Sequence, residues 1–285
     1  MAGTKELRQR IKSIKNTSKV TKAMEMVSAA KMHRAQEQAT KGRSYSSLMN
    51  EVLQNISTKI DLTSHPLLTR EVVEKQGILL ITTNRGLCGS LNSNLFKKTL
   101  DISGDVSFIT LGKKGQVFVS RQAKPLAADF ELLEKTTLEF SRTITKFLTD
   151  AFLNKEFDKI HVIYTQFHST LRQEAIVRQI LPIVDLEILN KLEQDSEIAV
   201  DEYLFEPSAD SVLESILPHY ILMEIYQMLL DASASEHSAR MVAMKNASDN
   251  ASELVDDLTL AYNQVRQTNI TNEILDIATA AAALN

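Results

Sequence analysis

From His219 to Asn285 the chain runs for 67 residues without a glycine or a proline. These are the two strongest local breakers of regular structure, so a gap of this length predicts one long helix. At 1.5 Å per residue it would extend about 100 Å. A compact protein of 285 residues has a radius of gyration near 19 Å and is about 50 Å across. Such a helix cannot be enclosed by a ball of its own chain. It has to protrude, fold back or pack against something else.

The pattern within this stretch predicts a coiled coil. Met244, Ala247, Ala251, Leu254, Leu258, Ala261, Val265 and Thr268 follow alternating steps of three and four, while Lys245, Asp249, Glu253, Asp256, Asp257 and Arg266 occupy other faces. A stripe this narrow reads as one seam rather than a helix buried all round. The amino-terminal end behaves alike, with neither Gly nor Pro between Gly3 and Gly42. There Val20, Ala23, Met24, Val27 and Ala30 form a stripe flanked by basic residues, which resumes at Tyr45, Met49, Leu53 and Ile56. We expect a helix over 4–58, a linker over 59–76 around Ser64-His65-Pro66, and antiparallel pairing of the two terminal helices.

The middle of the chain is different. Ile78–Ile81 is a continuous apolar run, as in a strand buried on both faces. Val106–Leu111 and Ile160–Tyr164 are rich in β-branched and aromatic residues, and helical patterns at about 92–101, 113–121 and 137–154 lie between them. Alternating strands and helices predict a parallel βαβ layer. The expected fold is α/β: a long antiparallel coiled coil of terminal helices, 1–58 and 208–285, with a Rossmann-like α/β domain inserted at 77–200.

Composition bounds the chemistry. One cysteine, Cys88, excludes an intrachain disulfide and a four-cysteine metal site. Apolar residues at 44% and charged residues at 24% fit a folded globular chain. There is no apolar run of membrane-spanning length, and the start, MAGTKELRQR, has no apolar core. These features predict a chain that stays in, or faces, the cytosol. LGKKG (residues 111–115) and RGLCG (residues 85–89) lack the full G-x-x-x-x-G-K-[ST] phosphate-loop spacing, so both read as strand-to-helix turns. No Cys-His family signature surrounds Cys88, and the six histidines show no H-E-x-x-H spacing. We expect no catalytic residue, no metal site and no cofactor.

Charge is unevenly placed. The net of −4 divides into +8 over residues 1–43 and −12 over the rest. Lys5, Arg8, Arg10, Lys12, Lys15, Lys19 and Lys22 could meet nucleic-acid phosphates, anionic lipid or acidic protein. No aromatic residue occurs before Tyr45 to stack on bases, which weakens the first option. The cluster Met24, Met26 and Met32 suits a core or an adaptable contact surface equally.

Four segments carry a resemblance: VTKAMEMVSAAKM (Val20–Met32), NRGLCGSLN (Asn84–Asn92), EHSARMVAMKNASDN (Glu236–Asn250) and LTLAYNQVRQTNITNEILDIATAAAAL (Leu258–Leu284). In this order they resemble the gamma-subunit family of the F-type ATP synthase. The resemblance implies a central rotor shaft that does no chemistry and binds no nucleotide. Its partners would be the alpha, beta and epsilon subunits and the membrane c ring, at the cytoplasmic side of a bacterial cell membrane. It also implies contact residues: Met24, Arg240, Arg266, Gln267, Thr271, Glu273 and Asp276 toward beta, and Tyr203 and Glu206 toward the c ring and epsilon. The chain departs from many members at Thr279-Ala280, and its single cysteine excludes the thiol regulation of the chloroplast relatives. A rotor of this kind should present polar outer faces, free of any apolar patch that would lock it to one wall.

Overall fold

The computed structural model describes residues 3–57, 65–68, 74–102, 104–133, 136–183, 206 and 208–283. Helix α1 spans Thr4–Ser57 and the last helix, α5, spans Ala209–Ala283. The latter begins before the breaker-free stretch and takes Pro218 into its early turns. The chain divides into two compact units, residues 1–29 with 240–285 and residues 30–239.

In the first unit the two helical arms meet along a seam that mixes apolar residues with small and polar ones. On α1 the inward positions are Leu7, Ile11, Ile14, Ser18, Thr21, Glu25 and Ser28; on α5 they are Met244, Ser248, Ala251, Val255, Leu258, Tyr262 and Val265. Both sets alternate steps of three and four, the knobs-into-holes spacing. The Ser18 and Ser252 hydroxyls lie 3.5 Å apart across the pair.

This overturns the expected amino-terminal stripe. Val20 and Val27 are 58% and 56% exposed, Ala23 and Ala30 are exposed as well, and Met24 is half-buried. The seam lies two residues away, about 200° round the helix. On α5, Leu254 is 46% exposed and Thr268 is exposed, while Val255 is buried. The physical reason is close approach: Ser18, Thr21, Ser28, Ser248 and Ala251 let the two backbones come near in the middle of the seam, and Val20, Val27 and Leu254 are left outside, while Leu7, Ile14, Val255 and Leu258 fill the seam on either side.

The second unit is built on a five-stranded sheet of order β3-β2-β1-β4-β5. Its strands are β1 (Lys75–Ile81), β2 (Asp105–Leu111), β3 (Leu126–Phe130), β4 (Lys159–Phe167) and β5 (Gln173–Leu181). The first four are mutually parallel where they pair; β5 runs antiparallel to β4. The sheet is therefore mixed, where a parallel layer was expected. Five residues separate β4 from β5, enough for a hairpin and too few for the helical crossover that parallel strands need. Neither β3 nor β5 was anticipated. Leu126–Phe130 is five residues with two alanines, and Gln173–Leu181 mixes polar and apolar positions without strict alternation.

Helices α2 (Leu91–Leu100) and α3 (Lys113–Arg121) cover one face of the sheet. There Leu95 and Val119 pack with Ile78, Leu80, Phe108 and Ile163, and the Phe96 and Phe118 rings stack with centroids 4.1 Å apart. The other face holds the larger core. Leu79, Ile81, Ile109, Leu111, Val162 and Tyr164 meet Ile144, Leu148 and Phe152 of α4 (Leu138–Leu153) and Leu213, Leu217, Tyr220, Ile221, Ile225 and Leu229 of α5. Ile78–Ile81 sits buried on both sides, as its uninterrupted apolar run predicts.

Within this unit α1 and α5 also run antiparallel, since Ala39 contacts Gln227 and Tyr45 contacts His219. Small residues permit the approach. Ala35 and Ala39 are buried, and a Cβ on Gly42 would collide with the Gln227 side-chain amide.

Candidate partner-binding surface

The glycine-bearing turns have a structural role. Gly112 initiates α3 at φ 95°, where its Cα faces the Thr82 carbonyl so closely that a Cβ would overlap it. Thr82 Oγ1 donates to the Leu111 and Gly112 carbonyls at 3.0 and 3.1 Å and accepts the Gly115 N–H at 2.8 Å. The Lys114 N–H goes to the Thr83 carbonyl and the Lys113 N–H to Asn84 Oδ1. The first amides of α3, which would cradle a phosphate in a phosphate loop, are thus spent on the chain's own acceptors. Asn92 closes the neighbouring turn: its Oδ1 accepts the Thr83 N–H, and its Nδ2 donates to Thr83 Oγ1 at 2.8 Å and to Cys88 Sγ at 3.4 Å. Cys88 is buried. Among the described residues no group of His, Cys, Asp and Glu could hold a metal ion, and no helix is long and apolar enough to cross a membrane.

What remains as a candidate is the outer surface of the first unit. Lys5, Arg8, Arg10, Lys12, Lys15, Lys19 and Lys22 are all exposed, because the seam runs through the residues between them. Two of these cations make local pairs: Arg10 with Glu6 at 2.8 Å and Lys22 with Glu25 at 3.0 Å. The solvated Arg10–Glu6 pair is worth about 0–1 kcal/mol and exchanges partners at little cost, while Lys22 reaches back to a Glu25 side chain that is only 15% exposed.

Beyond Val265 the carboxy-terminal helix is exposed on every face through residue 280. Of the residues assigned to beta by resemblance, Arg266, Gln267, Thr271, Glu273 and Asp276 lie in this exposed segment. Met24 is half-buried on α1, and Arg240 is buried at 8% exposure with interactions of its own. The unit therefore displays five of the seven openly and tucks Arg240 inward. Glu206 is exposed, and Tyr203 lies outside the described residues.

The outer surface is not purely polar, contrary to expectation. Val20, Met26 and Val27 on α1, and Leu260, Ile270, Ile274, Leu275 and Ile277 on α5, are exposed. Patches of this kind on a soluble fold mark protein contacts. The 3-4 reading of the sequence assigned Val20 and Val27 to the seam; their placement opposite it is what a sequence stripe alone does not reveal.

Sequence reasoning also missed a polar row inside the second unit. On α5, Glu224, Asp231 and Ser238 recur at seven-residue spacing and are buried. Glu224 Oε2 takes a 2.6 Å ion pair from Arg178 of β5. Tyr164, beside this cluster, has its phenol pushed up to about 12, chiefly by burial. The signal was available as charged residues at heptad spacing within an apolar stretch.

Comparison with known proteins accounts for this architecture. A family model described as ATP synthase matches residues 3–284. The chain is 42% identical over 291 residues to the ATP synthase gamma chain of Opitutus terrae, covering 99% of each. It is 44% identical over 292 residues to that of Methylacidiphilum infernorum, covering all of both. Among solved structures, a chain of the Euglena gracilis mitochondrial ATP synthase OSCP/F1/c-ring assembly in rotational state 3 superposes with a TM-score of 0.71 at 19% identity, over 99% of this chain and 94% of that one. A chain of the rotor of the same enzyme in rotational state 1 gives 0.67 at 18% identity, over 94% and 98%. At these identities the superpositions establish the fold, and the sequence relatives establish the lineage: the chain belongs to the ATP synthase gamma-chain family.

Proposed function

We propose that this chain is the central rotor shaft of a proton-translocating F-type ATP synthase. It catalyses nothing itself. It carries rotation of the membrane c ring to the catalytic sites of the alpha/beta ring, where its asymmetry drives each site through different nucleotide affinities. The partition that serves this role is an amino-terminal helix over 1–58, an α/β domain over 77–200 and a carboxy-terminal helix over 208–285. Membrane association is indirect, through the assembled complex at the cytoplasmic face of a bacterial cell membrane.

The observation that carries this reading is the bare helix beyond Val265. Residues 266–280 are exposed on every side, yet they include Ile270, Ile274, Leu275 and Ile277. A lone helix with exposed apolar side chains is stabilised by enclosure rather than by its own propensity, and a surrounding ring of subunits supplies that enclosure. Arg266, Gln267, Thr271, Glu273 and Asp276 then face beta, with Met24 and Arg240 below them. Tyr203 and Glu206 serve as the foot on the c ring and epsilon. The exposed basic helix 5–22 suits acidic surfaces of the same ring.

The test is assembly. The purified chain, mixed with alpha and beta subunits of its own enzyme, should yield a stable complex with ATP hydrolysis activity. A chain that never joins such a complex would refute the assignment.

A further inference from the structure

Resting on the rotor reading, we propose that a buried polar row on α5, namely Glu224, Asp231, Ser235 and Ser238, keys the rotational setting of this helix to the sheet and so prevents it from turning about its own axis under load.

From Leu213 to Leu229 the contact is mostly apolar, with Leu217, Tyr220, Ile221 and Ile225 against the sheet core. Apolar contacts are non-directional. They resist separation of the helix from the sheet more than they resist a small rotation of one against the other. A shaft loaded by torque needs the second kind of resistance.

The polar row supplies it. Glu224 receives Arg178 of β5 at 2.6 Å. Asp231 Oδ1 accepts from Gln227 Nε2 at 3.3 Å, and the same amide group donates to the Ala39 carbonyl of α1 at 3.2 Å. Ser235 Oγ donates to the Thr165 carbonyl at the end of β4, at 3.2 Å. Ser238 Oγ donates to the Thr170 carbonyl in the β4–β5 turn at 2.8 Å, and Gln173 Nε2 approaches Ser238 Oγ at 3.4 Å. Glu224, Ser235 and Ser238 thus engage β5, β4 and their turn over two heptads, while Asp231 orients Gln227, which reaches α1. Ser235 and Ser238 are fully buried, so a rotation that broke these bonds would leave polar groups without water to replace them.

The chemistry chosen is informative. The Glu224 side chain is 9% exposed while that of Arg178 keeps 37%, so the carboxylate loses most of its hydration and contributes little net stability compared with a well-packed apolar side chain of the same size. The best-attested use of such a buried charge is to fix register, as a single buried polar residue does in a coiled coil. A Leu or Met at Glu224 would continue the surrounding apolar stripe, and the chain places a carboxylate there instead.

This separates register from stability, and the experiment uses that. The double variant Arg178→Met with Glu224→Leu is assembled into the complete ATP synthase, alongside the unaltered chain, in membrane vesicles. Three quantities are read: the unfolding temperature of the chain, the ATP hydrolysis rate, and proton uptake per ATP hydrolysed. Hydrolysis should persist while proton uptake per ATP falls, and the unfolding temperature shows that the variant chain is still folded. Each directional bond removed corresponds to about a fivefold larger population of a displaced register. Uptake per ATP equal to that of the unaltered enzyme overturns the proposal, whether or not the melting temperature changes. Should the double variant not fold, Ser235→Ala with Ser238→Ala removes three bonds without burying a new group, and unchanged coupling there overturns the proposal equally. Failure of the rotor reading looks different: the unaltered chain itself would not assemble, or its complex would hydrolyse ATP without moving protons.

Discussion

The hydroxyls of Ser18 on α1 and Ser252 on α5 face each other at 3.5 Å. Two serines at this distance place the helix backbones close together, and neighbouring seam positions Thr21, Ser28 and Ser248 are small as well. At this level the pair is held by close approach, with Val255 and Leu258 filling the seam beyond it. That leaves Val20, Val27 and Leu254 free to face a partner.

Val255 and Leu254 are adjacent in sequence and opposite in consequence. Val255 is 8% exposed in the seam and Leu254 is 46% exposed outside it. Val255→Asp buries a charge and should lower the unfolding free energy by about 2 kcal/mol or more. Leu254→Asp should change it by about 0.5 kcal/mol or less. Denaturant unfolding of the isolated chain decides this, and equal effects of the two substitutions would relocate the seam.

Gly112→Ala tests the turn that launches α3. At φ 95° an L-residue is strained, and the new methyl would meet the Thr82 carbonyl. The expected cost is about 2–3 kcal/mol. Gly89→Asn is the control: Gly89 has φ 61° with nothing close to its missing side chain, and asparagine tolerates that region. Thermal melting of both variants should show a large shift for the first and a small one for the second.

His161 makes stability depend on pH. Burial, aided by Lys159, holds its imidazole below the ordinary value of 6.5. The unfolded chain then binds a proton more readily than the folded one. The contribution of His161 is complete above the unfolded value and is lost progressively as pH falls below it toward the folded value. His65 is shifted the same way by burial, against the pull of Glu214. The denaturation midpoint should therefore fall between about pH 7.5 and about 5.5, and His161→Gln should flatten part of that fall. An identical pH dependence in the variant would exclude His161 as a source.

Ile274→Ser with Ile277→Ser tests the exposed helix end. Both side chains are exposed, at 60% and 70%, so the isolated chain should melt within a degree or so of the unaltered one, as surface changes do. Assembly with alpha and beta subunits, followed by sedimentation or native electrophoresis, should be weakened. Undiminished assembly would show that these isoleucines do not meet the ring.

Much of the architecture was legible in advance because it depends on local rules. The absence of Gly and Pro between Gly3 and Gly42 and after Pro218 announced α1 and α5, and the run Ile78–Ile81 announced a central strand, since each follows from backbone freedom and burial over a few residues. The hairpin partner β5 was not legible, because its pairing with β4 is decided by a five-residue turn and by what covers each face. Among the candidate contact residues, the exposure of Arg266, Gln267, Thr271, Glu273 and Asp276 agrees with a surface role. The burial of Arg240 was invisible, since a heptad pattern does not say which of two polar neighbours points inward.

By itself the sequence determined that long unbroken helices stand at both ends, that an α/β region lies between them, and that no phosphate-loop or paired-cysteine chemistry is encoded. Those properties follow from residue type and spacing along one chain. Only the tertiary structure decided which stripe forms the seam, placing Ser18, Thr21 and Ser28 inside and Val20 and Val27 outside. Two helices choose their interface by how closely their backbones can approach and what directional bonds they then make, and that is a property of the pair, which hydrophobicity read along either helix alone does not contain.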